Sequence, residues 1–445
     1  MSILNVNKIN PVGGGSTITI AGIASVTRSV TAPNFVGAVT GNVTGNADTA
    51  SGLSGNPSIN TTGIVTATSF VPTVGQLSHR NIIVNGSMIV AQRGSSSTAN
   101  GYGSVDRFQC QHAGVDESPT HSQHTLTSSD TGPYAEGFRK SFHVQNGNQT
   151  SGAGTGDWMR IWHKIEAQDL ANSGWNYTSS SSYITLSFWV KVSVTQTYYV
   201  QMRTSDGTSK SYYFAMNLSA NTWTKVTHSI PGHADISFDN DNGEGIYIAW
   251  YGYRGTANTG SGQNANVWYT FDGATLTPDQ TSTWWTTNDS TFEITGVQLE
   301  VGSVTTPFEH RSFGDELARC QRYFYRHGDL NTTRSYALMG NGMIGHNGST
   351  DTGKIEIVAP VRMRQQPTVS VIGTDSFIIS TGGAETGTSD AIGTLASGGL
   401  WTSASSDINF WVDFGRTSGG SPNRGVACIV YANNNGANLG FSAEL

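Results

Sequence analysis

The stretch T-F-E-I-T-G-V-Q-L-E-V-G-S-V-T-T-P-F-E-H-R, Thr291 to Arg311, constrains this chain most, together with D-E-L-A-R-C-Q-R-Y-F, Asp315 to Phe324. Phe292, Ile294, Val297 and Leu299 read as a strand whose alternation slips near Gly296, which predicts a bulge. Gly302 and Pro307 punctuate the turn that follows. Leu317, Cys320 and Phe324 recur at helical spacing, so a short amphipathic helix from Asp315 to about Tyr325 closes the unit. Two acids open that helix and Arg322 and Arg326 end it, which suits the helix dipole.

A chain of 445 residues is too long for one ordinary core, so two or three domains are expected. Charged residues make up only 12% and Gly reaches 54, a mixture that disfavours long helices and favours short strands with many turns. Aromatic residues at 10% set the chain apart from disordered segments, which combine high charge with few rings. The net charge of −7 argues against a nucleic-acid partner, which calls for a basic face. No apolar run reaches the roughly 18 residues of a membrane span. The opening M-S-I-L-N-V-N-K-I-N has no secretory pattern, so export by a signal peptide is not expected. Cys110, Cys320 and Cys428 are odd in number and far apart, and read as reduced, buried thiols.

The expected fold class is mostly β, in three parts. Residues 1–78 carry only Lys8, Arg28 and Asp48 as charges and repeat V-T-G-N at Val39–Asn42 and Val43–Asn46. Their short apolar pairs cannot bury a core in one chain, but several identical chains together could. An extended, oligomerising N-terminal stalk is therefore expected, most simply in a homotrimer. Residues 79–311 read as a jelly-roll β-sandwich. Ile184, Leu186, Phe188, Val190 and Val192 fall on one face of a strand, and Trp223–Ile230 and Gly245–Tyr253 read as further strands. Residues 312–445 read as the short helix plus a small C-terminal β domain, with strands near Phe410–Phe414, Val426–Tyr431 and Leu439–Leu445.

Signals for catalysis are thin. Glycan cleavage needs two carboxylates roughly 5–9.5 Å apart across the sugar bond, and no spacing nominates such a pair. No nucleophile elbow, Walker loop or dinucleotide fingerprint occurs, and no cofactor is expected. His121 and His124 lack a third ligand at zinc-like spacing. The D-N-D-N-G-E loop, Asp239–Glu244, fails the EF-hand pattern and reads as an Asx-rich turn, so no metal is expected. Rings offer the best binding chemistry, because sugar C–H faces pack on Trp and Tyr. In I-Y-I-A-W-Y-G-Y-R, Ile246–Arg254, Ile246, Ile248 and Trp250 share one face and Tyr247, Tyr251 and Tyr253 the other. Trp284 and Trp285 sit among Thr, Asn and Asp, where exposed rings are expected. Trp158, Trp162 and Trp175 flank a Gly-rich stretch. The candidate glycan-binding residues are Trp284, Trp285, Tyr251, Tyr253 and Arg254.

The run from Gln298 to Phe324 resembles the seam of phage tail-fibre and other virion appendage proteins of the cyanophage or marine-phage type. There a "QLE-G-TPFE-R" strand ends a carbohydrate-binding-like sandwich and an "EL-CQRYY" helix follows. Arg80–Gly94 and V-D-R-F, Val105–Phe108, resemble the sandwich opening of the same proteins, and G-I-V-T-A-T-S-F-V, Gly63–Val71, resembles their stalk repeats. The resemblance implies a bacteriophage tail fibre that contacts other virion proteins through its N-terminal region and a host surface glycan through its β domains, and the missing carboxylate pair adds the expectation that it is not an enzyme. It implies a protein made in the host cytoplasm and carried on the virion. A decorating or connecting capsid or tail subunit without host contact, and a glycan depolymerase, are the alternative expectations.

Overall fold

Alternation of apolar and polar residues drives the architecture, and most alternating runs become strands that bury one face. The computed structural model describes residues 79–260, 262–328, 337–347, 350–381, 391–400, 404–419, 424–433 and 437–445. All of them fall in one compact unit, Val71–Leu445. The stalk expected over residues 1–78 lies outside the described residues.

The first strands are β1 Ser96–Ser97, β2 Phe108–Ala113, β3 Thr120–Thr125, β4 Lys140–Gln145, β5 Trp158–Glu166 and β6 Tyr183–Val192. They continue with β7 Gln196–Thr204, β8 Lys210–Leu218, β9 Thr224–Pro231, β10 Glu244–Arg254, β11 Tyr269–Thr270 and β12 Thr291–Val301. Two six-stranded antiparallel sheets result, in the orders β1-β3-β4-β12-β6-β9 and β11-β8-β7-β10-β5-β2. Between them lies one core. Ile184, Leu186, Phe188, Val190 and Val192 of β6 face Ile246, Ile248 and Trp250 of β10 in it, as their alternation requires. The β12 pairing with β6 shifts register between Thr295 and Gln298, and Gly296 there has φ +63. This is the bulge expected from the broken alternation. A Cβ on Gly296 would stand 2.6 Å from the Phe138 ring, so only Gly fits.

Two short helices, α1 Ala167–Ala171 and α2 Thr283–Thr286, cap the sandwich, and α3 Phe313–Gln321 leaves it. The Ser312 side chain accepts a hydrogen bond from the Asp315 amide at 3.2 Å and so caps α3. The helix stops at Gln321, earlier than its apolar spacing suggests, because Phe324 and Tyr325 are taken into the next strand. Cys320 and Tyr323 pack on Val84 and Val90, which ties the helix to the opening segment of the sandwich.

The C-terminal strands are β13 Phe324–His327, β14 Leu338–Asn347, β15 Thr350–Val358, β16 Thr368–Ile372 and β17 Phe377–Ser380. They end with β18 Ala391–Leu400, β19 Asn409–Gly419, β20 Ala427–Ala432 and β21 Asn438–Ser442. Six of them close a barrel, β14-β15-β19-β18-β17-β20, and β13-β21-β16 form a small sheet. Charges lock this part to the sandwich. Glu444 accepts from the buried Arg107 and from Arg93 at 3.1 Å, and Arg322 grips Glu166 through two bonds of 2.7 Å. The three cysteines are free and buried.

Candidate functional site

The five expected site residues do not form one exposed cluster. Both indoles of the α2 pair are fully buried. The helical turn swings Trp284 onto Gly252 and Met159, and its Nε1 donates to the Thr291 carbonyl at 3.0 Å. Trp285 Nε1 donates to the Gly152 carbonyl at 2.9 Å, and its ring centroid lies 5.3 Å from that of Tyr253. The polar neighbours that suggested exposure serve the backbone instead: Ser290 Oγ donates to the Trp284 carbonyl and Asn146 to that of Trp285. The pair is core, and the expectation of rings facing solvent is corrected.

Tyr253 is corrected in the same way. The β10–β5 register shifts between Tyr251 and Tyr253, which reverses the alternation and turns Tyr253 inward opposite Met159. Arg254, opposite Trp158, is thereby turned outward to the side of Tyr251. Trp285 and Tyr253 meet in the core, while Tyr251 and Arg254 stay on the far face of the sheet.

That far face, on the second sheet, is where recognition chemistry gathers. The strand registers bring three rows of side chains together across it. Gln111, Arg160, Tyr251 and Tyr199 make one row; Gln109, Trp162, Ala249, Gln201 and Tyr213 make the next. Lys164, Tyr247, Arg203, Ser211 and Tyr269 make the third. Ala249 is the small residue at the centre. Tyr247, Ala249 and Tyr251 form a second, separate apolar cluster with Trp162 against them, the Trp162 and Tyr247 rings meeting edge to face at 5.0 Å.

Guanidinium groups lie over this aromatic floor. Arg254 stacks 3.9 Å from the Tyr251 ring centroid, Arg160 3.8 Å from Trp162, and Arg203 3.8 Å from Phe271. Amides and hydroxyls run between them. Tyr251 donates to Gln201 at 2.6 Å, Gln201 to Ser211 at 2.7 Å, and Arg160 to Gln111 at 2.7 Å. Burial pushes the Tyr269 phenol up to about 12 and raises that of Tyr247 further, while it lowers Arg254 from the usual guanidinium range. No carboxylate stands in the three rows. Trp162 Nε1, Arg254 Nε and Arg254 Nη1 are buried without hydrogen-bond partners. The arrangement can bind a polar ligand by stacking and by donated hydrogen bonds, and it lacks the paired acids that cleave a glycosidic bond.

Other concave places offer less. A cavity of about 340 Å³ is lined by Asn81, Val84, Gln168, Asp169, Asn172 and Arg319 among others, and no Trp, Tyr or Phe lines it. In the Asp239–Glu244 loop the Gly243 amide donates to Asp241 at 2.7 Å, an Asx turn. Among the described residues no group of three or more His, Cys, Asp or Glu side chains is placed to hold a metal. Sequence reasoning noted Trp162 and the Tyr247–Tyr251 alternation but could not assemble the rows, because they join strands as far apart as β2 and β11.

No protein-family model matches the chain, and no curated protein matches it in sequence. Among solved structures it is similar to the enzymatically active domain of tailspike protein 4 of bacteriophage CBA120, at 13% identity and a TM-score of 0.27. That similarity covers 50% of this chain and 21% of the tailspike chain, so this chain spans only about a fifth of it. It is also similar to the CBM22-1 xylan-binding domain from Paenibacillus barcinonensis, at 8% identity and a TM-score of 0.26, over 53% of this chain and 100% of that one. A third similarity is to the N-terminal cellulose-binding domain of Cellulomonas fimi β-1,4-glucanase C, at 10% identity and a TM-score of 0.24, over 49% of this chain and 99% of that one. At these identities and TM-scores, function has to be read from the residues of the face itself.

Proposed function

We propose that this chain is a non-catalytic carbohydrate-binding subunit of a phage virion, a tail fibre that holds a host surface glycan on the outer face of its second sheet. One observation carries the binding reading. A six-strand face gathers Trp162, Tyr199, Tyr213, Tyr247, Tyr251 and Tyr269 with three arginines and with Gln111, Gln201 and Ser211 in short hydrogen bonds. Stacking on ring faces and donation to hydroxyls are the two interactions a saccharide can answer. Support for the virion setting comes from the Gln298–Phe324 run and its resemblance to fibre seams. Residues 1–78 then serve as the trimeric stalk that meets other tail or capsid proteins.

The test is retention of the purified full chain on a panel of immobilised saccharides, including surface polysaccharide of the bacterial host. Trp162→Ala removes a half-buried ring from the face without opening the sandwich core. Its expected effect is a loss of retention of about tenfold or more, from about 1.4 kcal/mol or more of stacking and cation–π contact, at an unchanged unfolding temperature. Equal retention of variant and parent, or no retention of the parent by any saccharide, overturns the binding reading. Labelling of intact particles with an antibody to the barrel tests the virion reading separately.

A further inference from the structure

The outer face of the second sheet holds three arginines that no acid neutralises. Arg254 is only 4% exposed, and its Nε and Nη1 find no hydrogen-bond partner. The groups that act on it electrostatically are Tyr251, Arg160, Tyr247 and Tyr269, none of them a carboxylate. Arg160 is held by Gln111, and Arg203 lies near Ser209 and over Phe271. Among the described residues none of these three has an ion pair, whereas Lys164 at the end of the face is paired to Glu244 at 2.8 Å.

This is not a shortage of acids. The chain has 31 Asp and Glu against 24 Lys and Arg. Elsewhere several enclosed arginines have carboxylates: Arg107 and Arg93 share Glu444, Arg311 has Glu309 and Glu316, and Arg322 has Glu166, while the half-buried Arg326 and Arg364 bond backbone carbonyls. A buried guanidinium is costly unless its charge is answered. Among the described residues Arg107 and Arg254 are the two arginines buried to this depth, and Arg107 has its carboxylate while Arg254 does not. Sugar hydroxyls are neutral and meet N–H groups singly; an oxyanion matches the planar guanidinium fork with two parallel bonds.

We infer that the ligand of this face is an acidic saccharide, whose carboxylate or sulfate group sits against Arg254 with Arg160 and Arg203 alongside. The inference rests on the carbohydrate-binding reading above and narrows it to a charge class.

The test compares matched saccharide pairs on the full chain. Polygalacturonate, alginate and hyaluronate are each set against their carboxyl-reduced forms, and dextran sulfate against dextran. At least one acidic member is expected to bind about tenfold or more tightly than its neutral partner, in line with hydrogen bonds to charged groups, and to weaken as salt is added. Whether the carboxylate pairs or the sulfate pair shows the preference tells the two oxyanions apart. In Arg254→Met the preference is expected to vanish while the unfolding temperature holds or rises, because a charge without a partner has been replaced by an apolar chain of similar length. Equal binding of acidic and neutral members overturns the acidic inference and leaves the carbohydrate reading standing. Binding to no member overturns both. A marked fall in unfolding temperature in Arg254→Met, or a change in oligomeric mass without change in saccharide preference, assigns Arg254 to the fold or to a contact between copies and overturns the inference.

Discussion

Replacing Trp284 and Trp285 together with Ala should unfold the sandwich, and the expected size follows from their surroundings. Both rings are fully buried. An indole removes about 150–250 Å² from water, which at roughly 25 cal/mol per Å² is about 4–6 kcal/mol. Measured Trp→Ala losses in cores run at about 3–5 kcal/mol each. Each indole N–H also donates to a backbone carbonyl, Thr291 for one ring and Gly152 for the other. Losing those donors adds about 1 kcal/mol apiece. The two rings sit on adjacent residues of one turn and pack beside the adjacent Gly252 and Tyr253, so their losses add only in part. A total of up to about 8–12 kcal/mol matches the whole stability of an ordinary domain, about 5–15 kcal/mol. Urea unfolding followed by far-ultraviolet circular dichroism gives the value, with Trp285→Phe, which keeps a six-membered ring and loses the donor and part of the indole, as the milder control. A double variant whose stability lies within about 0.5 kcal/mol of the parent, the size of an ordinary surface change, would refute the placement of the pair in the core.

Three further perturbations probe the frame that presents the face. Gly296→Ala puts a side chain at φ +63 against Phe138 and should cost about 1–3 kcal/mol in urea unfolding; an unmoved midpoint would count against the bulge. Glu444→Gln leaves the Arg107 guanidinium buried without its acid and should cost about 3–5 kcal/mol, seen as a lower unfolding temperature and faster proteolytic release of the C-terminal strand. Stability should fall as pH drops from about 7 to 5. His163 is held neutral well below the usual histidine range by burial and by Arg107 beside it, so below about pH 6.5 the unfolded chain binds a proton the folded one refuses, costing up to about 1.4 kcal/mol per pH unit. Burial lowers His121, His143, His228 and His327 in the same sense. Asp106, raised to about 6 by burial, opposes them only between about pH 4 and 6, where the folded state keeps a proton the unfolded one releases. An unfolding temperature that does not change between pH 7.5 and 5.5 would refute this balance.

The strands were legible where alternation is unbroken, and one bulge where the pattern visibly slips at a Gly. Ile184–Val192 buries its alternate residues as its pattern demands, and the slip at Gly296 is a bulge. The second bulge, between Tyr251 and Tyr253, was not legible. It lies at Y-G-Y, where both residues flanking Gly252 are aromatic, so the pattern looks regular whether or not a residue is inserted. Counting by two through Gly252 puts Tyr253 with Tyr251; the inserted residue sends it to the core and brings Arg254 out instead. Trp284 and Trp285 were misread for a different reason. A polar neighbourhood in sequence says nothing about burial when the polar groups bond to the backbone of the same turn, as Ser290 and Thr287 do. The rows of the face depend on strand order, and that order sets β2 beside β5 and β11 beside β8 through contacts no local pattern encodes.

The rings of this face act mainly as supports for the charges. Tyr251 and Tyr247 are buried, and what lies above the floor is a layer of guanidinium groups, each resting on a ring. A cation over a desolvated ring gains about 0.5–2 kcal/mol, which offsets part of the cost of leaving Arg254 without a counter-charge. The uncompensated charge is therefore tolerable to the fold, and the cations of the face are held in place before any ligand arrives. Arg160 is fixed further by Gln111, whose own amide is bonded to Gln109. Such pre-ordering lowers the entropy lost when a ligand docks. It also separates the two ways a sugar could be held. Recognition by stacking alone requires a bare ring and is nearly indifferent to salt. Recognition through this layer meets the cations first, so its strength should track ionic strength, with the half-buried Trp162, Tyr199 and Tyr269 left to stack beside them.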